Sequence, residues 1–383
     1  AQHLLLDEQS ALVEYFLGRN HLHTFTVYQG EVAWYRTALQ PDLVGQIETF
    51  REALAPAHWQ VSGSALGDSL GMELYQQLWL PLQTWTPAPQ QLILVPDEYL
   101  AYLPFDALLE QAPTQPGYYP DYAFLGRKYH VSYAYSATWL YEVQRIQRLA
   151  NQPQQWVGMA PTSFPRLGDL PFSRNEIEGI HDRYGGKALV GSKAKREAFV
   201  KWAPETRLLH LSTHAGLHDS TPELSAIYFA EGDSVSLQEI ASMQIPADLV
   251  VLSACETGIG ELKSGEGLLS LGRAFSQAGA KSLLTTLWQV NDATTEQVMK
   301  RFYAALSEGK SKATALHLAK MEQLSLNDPI LSHPYFWAGY SMWGERTGLT
   351  ITPQDASPFW LIGGIVLILL FVGGGIYRQA TKA

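Results

Sequence analysis

The sequence holds a single cysteine, Cys255, in 383 residues. That excludes an internal disulfide framework and any zinc site built from several cysteines. Runs rich in Lys and Arg are also missing, and the formal net charge is -10. Phosphate neutralisation needs clustered basic side chains, so direct nucleic-acid contact is not expected. No internal repeat of the solenoid kind is visible. The opening AQHLLLDEQS has no basic n-region, and Asp7 and Glu8 break its apolar run, so it does not read as a signal peptide. No acidic loop has EF-hand spacing, and neither an obligatory metal nor another cofactor is expected. The chain opens at Ala1 rather than Met and reads as a piece of something longer.

Apolar material, by contrast, is plentiful. Hydrophobic residues make up 46% and charged residues 17%, which supplies a core and excludes disorder throughout. At about 100–200 residues per domain, the length suggests two or three domains. Residues 359–377, FWLIGGIVLILLFVGGGIY, carry no charge. As a helix they would extend about 28 Å, close to the hydrocarbon thickness of a bilayer. Trp360 and Tyr377 lie near the two ends, and Arg378 and Lys382 follow. The expectation is a single-pass C-terminal membrane helix in contact with lipid. Its large domains would face the cytoplasm, as in a tail anchor.

The rest reads as α/β. Residues 90–105 suggest a buried strand, a turn and an extended segment, and 42–54 and 136–149 suggest amphipathic helices. Beyond residue 155, strands at 156–160, 187–191, 208–215, 248–258 and 282–290 alternate with helices at 175–184, 193–203, 267–279, 293–307 and 312–323. A hairpin-like stretch covers 226–237, and 335–344 closes the pattern. Such alternation argues for a mostly parallel sheet covered on both faces. The expected organisation is a first α/β unit at 1–154 and a second at 155–346. A linker at 347–358, the membrane segment at 359–377 and a short basic tail at 378–383 follow.

Two strands end in polar residues that a buried parallel strand does not need. LLHLSTHAG (208–216) carries His210, Ser212 and His214; DLVVLSACETG (248–258) carries Ser253, Cys255 and Glu256. Active sites of open α/β sheets form beyond the carboxyl ends of strands. A thiolate is the reactive form of cysteine, and a neighbouring histidine can take its proton. Cys255 alone is equally readable as a small packed hydrophobe. His210, His214 and His218 recur every fourth residue, which leaves a metal set open, although no acidic base sits between them as in a helical zinc motif. His210 reads as a satisfied core histidine, and His218 with Asp219 as a solvated loop.

Three segments carry a resemblance. THAG (213–216), LSACETGIGELKSGEGLLSLGRAFSQAGAKSLLTTLWQVND (252–292) and HPYFWAGY (333–340) resemble the CHAT family of caspase-like cysteine peptidases, grouped with caspases, separase and gingipain. The likeness runs from LLLDEQSALVEYFLG (4–18) through LILVPDEYLAYLPFDALL (92–109) to Trp343. It implies a degenerate caspase-like unit followed by a catalytic one, frequently with tetratricopeptide repeats upstream as a regulatory region or activator. Carried over, His214 matches the general base and Cys255 the nucleophile that attacks a protein substrate. The backbone N–H groups of Cys255 and of Ala215 or Gly216 match the oxyanion donors; many relatives have Gly where Ala215 stands.

In separase-like relatives an acid after the next strand recognises a basic P1 residue, and Asp292 matches it. Asp292 is equally readable as a helix N-cap. Glu256 would line the same pocket or raise the thiol pKa. Glu261 and Glu266 fall in a glycine-rich loop. The expected function is a membrane-anchored cysteine endopeptidase under partner control; the rival is a catalytically silent membrane scaffold.

Overall fold

The computed structural model describes residues 6–55, 64–79, 82, 85–145, 156–165, 167–216, 225–253, 266–349 and 351–354. The chain opens with three antiparallel strands, β1 (Ser10–Leu17), β2 (His21–Tyr28) and β3 (Glu31–Ala38), followed by helices α1 (Leu43–Leu54) and α2 (Ser64–Leu78). Next come β4 (Gln91–Val95), β5 (His130–Tyr133), α3 (Ala137–Arg145), β6 (Trp156–Ala160), α4 (Ser173–Tyr184), β7 (Lys187–Val190) and α5 (Arg196–Trp202). Then follow β8 (Leu208–Leu211), β9 (Ala215–Gly216), β10 (Ala226–Tyr228), β11 (Ser234–Ser236), α6 (Leu237–Ser242) and β12 (Leu249–Leu252). The chain continues through α7 (Glu266–Gln277), β13 (Ser282–Thr286), α8 (Asp292–Ser307), α9 (Lys312–Leu324) and β14 (Tyr340–Gly344).

These strands build an eleven-stranded sheet in the order β3-β2-β1-β4-β5-β14-β13-β12-β8-β6-β7. The sheet is mostly parallel, as the strand–helix alternation predicts. β6, β7, β8, β12 and β13 all run the same way, so their carboxyl ends share one edge. Every residue of β6, β8, β12 and β13 is buried, the pattern of strands covered on both faces. Helix starts follow ordinary capping chemistry. Ser236 and Glu239 form a reciprocal capping box on α6, and the Ser311 side chain accepts from the Thr314 N–H on α9. A second sheet, β11-β10-β9, stands apart.

Three expectations need correction. The strand predicted over 208–215 is broken. β8 stops at Leu211, and the chain leaves the large sheet to pair as β9 with β10. After β4 the chain makes a 3-10 turn at Glu98–Tyr102 in place of an extended segment. The sheet is also not covered on both faces throughout: Val32, Trp34 and Phe25 of β2–β3 are 69%, 57% and 41% exposed. An antiparallel meander closes with tight turns, here Gln29–Gly30, and brings no crossover helix to cover it.

The single-pass membrane localisation is corrected as well. Among the described residues no helix is long and apolar enough to cross a membrane. The segment at 359–377, on which that expectation rested, lies outside the described residues.

Candidate active site

His214 sits where the chain steps from one sheet to the other. Leu211 still pairs with Met159 and Leu252 across the large sheet, and Ser212 N–H donates to Met159 O at 2.9 Å. Two residues later, His214 O accepts from Tyr228 N–H at 3.0 Å in the small sheet. The Thr213 hydroxyl anchors the bend by donating to Tyr228 O at 2.5 Å. The break in the strand therefore holds the histidine at the carboxyl edge of β6, β8 and β12.

The ring of His214 is 5% exposed and is held from two sides. Phe164 packs edge-on with ring centroids 4.7 Å apart. Nε2 lies 2.7 Å from the carbonyl of Gly168, in the loop after β6. A carbonyl only accepts, so Nε2 carries a hydrogen, and in the neutral ring Nδ1 is the acceptor. Among the described residues Nδ1 has no hydrogen-bond partner. A buried imidazole with a fixed tautomer and a free acceptor nitrogen has the form of a general base.

Behind this ring lies a buried polar cluster. Ser212 and Ser253 are the next residues after β8 and β12, and Ser253 N–H donates to Leu211 O at 3.2 Å. Both hydroxyls donate to Oε2 of Glu176 on α4, at 2.6 and 3.1 Å. His210, fully buried, places Nε2 3.1 Å from the Ser253 hydroxyl and Nδ1 3.1 Å from the Tyr303 hydroxyl. It is the satisfied core histidine expected, with a hydroxyl partner at each ring nitrogen. Glu176 was not singled out by the sequence pattern. LHLSTH and VVLSAC both place a serine two residues before the reactive candidate, which marks the serines but not the carboxyl group that joins them.

The small sheet also constrains the backbone donors. Ala215 stands opposite Ile227, and Gly216 opposite Ala226. With Tyr228 N–H donating to His214 O, this register turns Gly216 N–H toward β10 and Ala215 N–H away from it. At the neighbouring strand end, α8 begins with Asp292, but its N-cap is Asn291. The Asn291 side chain accepts from Ala293 N–H at 3.1 Å and from Thr294 N–H at 3.3 Å. The cap reading of Asp292 is thus corrected: a side chain one residue earlier fills that role. Cys255, Glu256, Glu261 and His218 lie outside the described residues.

The model of the CHAT domain matches residues 68–345, most of the chain. The chain belongs to the CHAT domain family. Tetratricopeptide repeat protein 28 of Homo sapiens is 28% identical to this CHAT chain over 234 residues, covering 51% of the chain and 9% of that protein. Its Mus musculus counterpart is 26% identical over the same length. The chain therefore spans about a tenth of the curated relatives it matches. Among solved structures, the Saccharomyces cerevisiae separase–securin complex superimposes with a TM-score of 0.54 at 10% identity, covering 91% of this chain and 30% of that one. The fold is thus mixed α/β, of the separase type.

Proposed function

We propose that this CHAT chain is a cysteine endopeptidase in which His214 is the general base and Cys255 the nucleophile. The observation that carries the reading is the His214 ring, with its tautomer set by the Gly168 carbonyl and Nδ1 left unpartnered at the shared strand edge. Cys255 follows Ser253 by two residues, as His214 follows Ser212, and the two serines end adjacent parallel strands on one carboxyl group. CHAT family membership supports a caspase-like peptidase fold.

In this reading Nδ1 of His214 takes the thiol proton and the thiolate attacks the scissile carbonyl. The tetrahedral oxyanion rests on backbone N–H groups. Of the two alternatives after the histidine, the β9–β10 register favours Ala215 over Gly216 as partner of the Cys255 N–H. Imidazolium then protonates the leaving amine, and water hydrolyses the thioester. Asp292 stands in the first turn of α8, just beyond β13, and with Glu256 is assigned to a pocket for a basic P1 side chain. The division into a degenerate unit at 1–154 and a catalytic unit at 155–346 is kept, the first having no cysteine. Similarity to tetratricopeptide repeat protein 28 supports a tetratricopeptide-type region as regulatory partner.

The test is labelling by an electrophilic peptide probe with Arg or Lys at P1, read on the intact mass. One cysteine makes the readout unambiguous. Labelling is expected in the wild type, absent in Cys255→Ala and at least about a hundredfold slower in His214→Ala. Labelling of the wild type that His214→Ala leaves unchanged would overturn the dyad. A probe with Leu or Met at P1 separates an apolar preference from a silent scaffold, which neither probe labels.

A further inference from the structure

Each hydrogen in the cluster behind His214 has one possible direction. The Trp156 indole can only donate, and Nε1–H reaches the Tyr303 hydroxyl at 3.3 Å. Oε2 of Glu176 accepts from Ser253, whose oxygen is left to accept from Nε2–H of His210, and Nδ1 of the neutral ring then accepts from the Tyr303 hydroxyl. Burial pushes the Tyr303 phenol well up, so it remains a donor. With Nδ1 accepting, Nε2 of His210 carries the ring hydrogen and donates to the Ser253 oxygen at 3.1 Å. Ser253 passes its hydrogen to Oε2 of Glu176, which accepts the Ser212 hydroxyl as well. The chain runs from a group that only donates to a carboxyl oxygen that accepts twice. It crosses β6, α8, β8, β12 and α4, and every member from Trp156 to Glu176 is at most 4% exposed.

A packed apolar core would hold the same strands together. What the polar chain adds is direction, because each hydroxyl is aimed by its neighbour. At its end point, Oε2 of Glu176 accepts from the two residues that precede His214 and Cys255 by two. We infer that Glu176 is a positioning residue: its carboxyl group fixes the separation of the β8 and β12 ends, and with it the alignment of base and nucleophile. This inference rests on the peptidase reading above.

Glu176→Gln tests it with little change of volume. Oε1 lies 3.0 Å from Nε2 of His210, outside hydrogen-bond alignment. An amide nitrogen there would set one donor against another. An amide oxygen there would instead leave the two serine hydroxyls facing the nitrogen. The first orientation sets the amide against the His210 ring N–H, and the second breaks the chain at the serines. The measurement is the rate of Cys255 alkylation by iodoacetamide from pH 5 to 9 in wild type, Glu176→Gln, Ser253→Ala, His214→Ala and the Glu176→Gln/His214→Ala double variant. Thermal melting establishes that each is folded.

The single Glu176→Gln change is expected to slow alkylation at pH 7 by roughly ten- to a hundredfold, the scale of a small misalignment. Its pH profile should move toward that of His214→Ala. In the double variant it should add nothing, because it acts through the histidine. A folded Glu176→Gln protein with the wild-type rate and profile, beside a slowed His214→Ala, would sink the positioning role and leave the dyad standing. If His214→Ala matches the wild type, the dyad fails and the inference falls with it. Should Glu176→Gln not fold, Ser253→Ala decides, since it removes one hydroxyl and keeps the carboxyl. A shift in the same direction supports the role, and an unchanged profile overturns it.

Discussion

The two ends of β8 and β12 are closed by different chemistry. At the amino end, charges do the work. Asp248, just before β12, pairs with Arg207 before β8, and lies 3.4 Å from Lys281 before β13. Fully buried Lys312 of α9 adds contacts at 2.8 Å to the Glu345 carboxylate and at 3.0 Å to Asp248 O. Burial alone would raise the Glu345 carboxyl; Lys312 beside it prevails and holds it below the usual range. At the carboxyl end the chain from Trp156 to Glu176 relies on hydroxyls, an indole and a ring. Ion pairs attract over a broad range of geometries, whereas hydroxyl chains are directional. The amino end is built to hold, and the carboxyl end to aim.

The sharpest way to break this contrast is Lys312→Met. It strips the partner from a buried carboxylate, at a cost of about 3–5 kcal/mol. Urea unfolding should show the loss, while Cys255 alkylation per folded molecule stays at the wild-type rate. Adding Glu345→Leu should return much of the stability, because replacing both partners of a buried pair is far milder than orphaning one. A large change in alkylation would show that the two ends are coupled, and the division of labour would be wrong.

Acid should act on the holding side first. His317 of α9 stacks on His130 of β5 with ring centroids 3.9 Å apart. Burial, then His130, then Lys320 push the His317 pKa down to about 3, and burial also lowers that of His130. The unfolded chain, near 6.5, takes up these protons more readily than the folded one. Stability tied to the neutral rings is therefore intact above about pH 6.5 and falls as the pH drops toward 3, by a few kcal/mol in all. Chemical denaturation at pH 7 and pH 4.5 should show the drop, and His317→Leu should flatten it. An equally steep drop in the variant would assign the acid sensitivity elsewhere.

The strands themselves were legible in the sequence, but neither the ion pairs at their amino ends nor the hydroxyl chain at their carboxyl ends was. Uninterrupted apolar runs such as LILV and LVVL, separated by amphipathic stretches, mark parallel strands because burial on both faces favours them. The β1–β3 meander was harder. In HLHTFTVY the inward positions include Thr24 and Thr26, buried at 2% and 1%, while Phe25 points outward, so polarity does not follow the face. His214 and Cys255 were legible as chemistry at strand ends. Glu176 was not. Within SRNEIEGIHDRY it looks like any helix-surface acid, and only the docking of α4 brings it to Ser212 and Ser253, 36 and 77 residues away. Spacing along the chain carries no trace of a partner chosen by tertiary packing.

The smallest expected effect separates holding from aiming between two adjacent residues. Asn291 caps α8 with its side chain, and Asp292 follows as the first helical residue. Asn291→Ala should cost about 1 kcal/mol of stability, the ordinary price of a lost cap, and leave the P1 preference unchanged. Asp292→Asn keeps a polar group in the first turn and removes only a favourable charge near the helix start, worth about 0.3–1 kcal/mol. If Asp292 reads a basic P1 residue, that change should lower labelling by Arg and Lys probes at least about tenfold while a Leu probe is unaffected. Equal loss with both probes would make Asp292 a stabiliser of α8 alone. Specificity would then have to come from Glu256 or from another wall of the pocket.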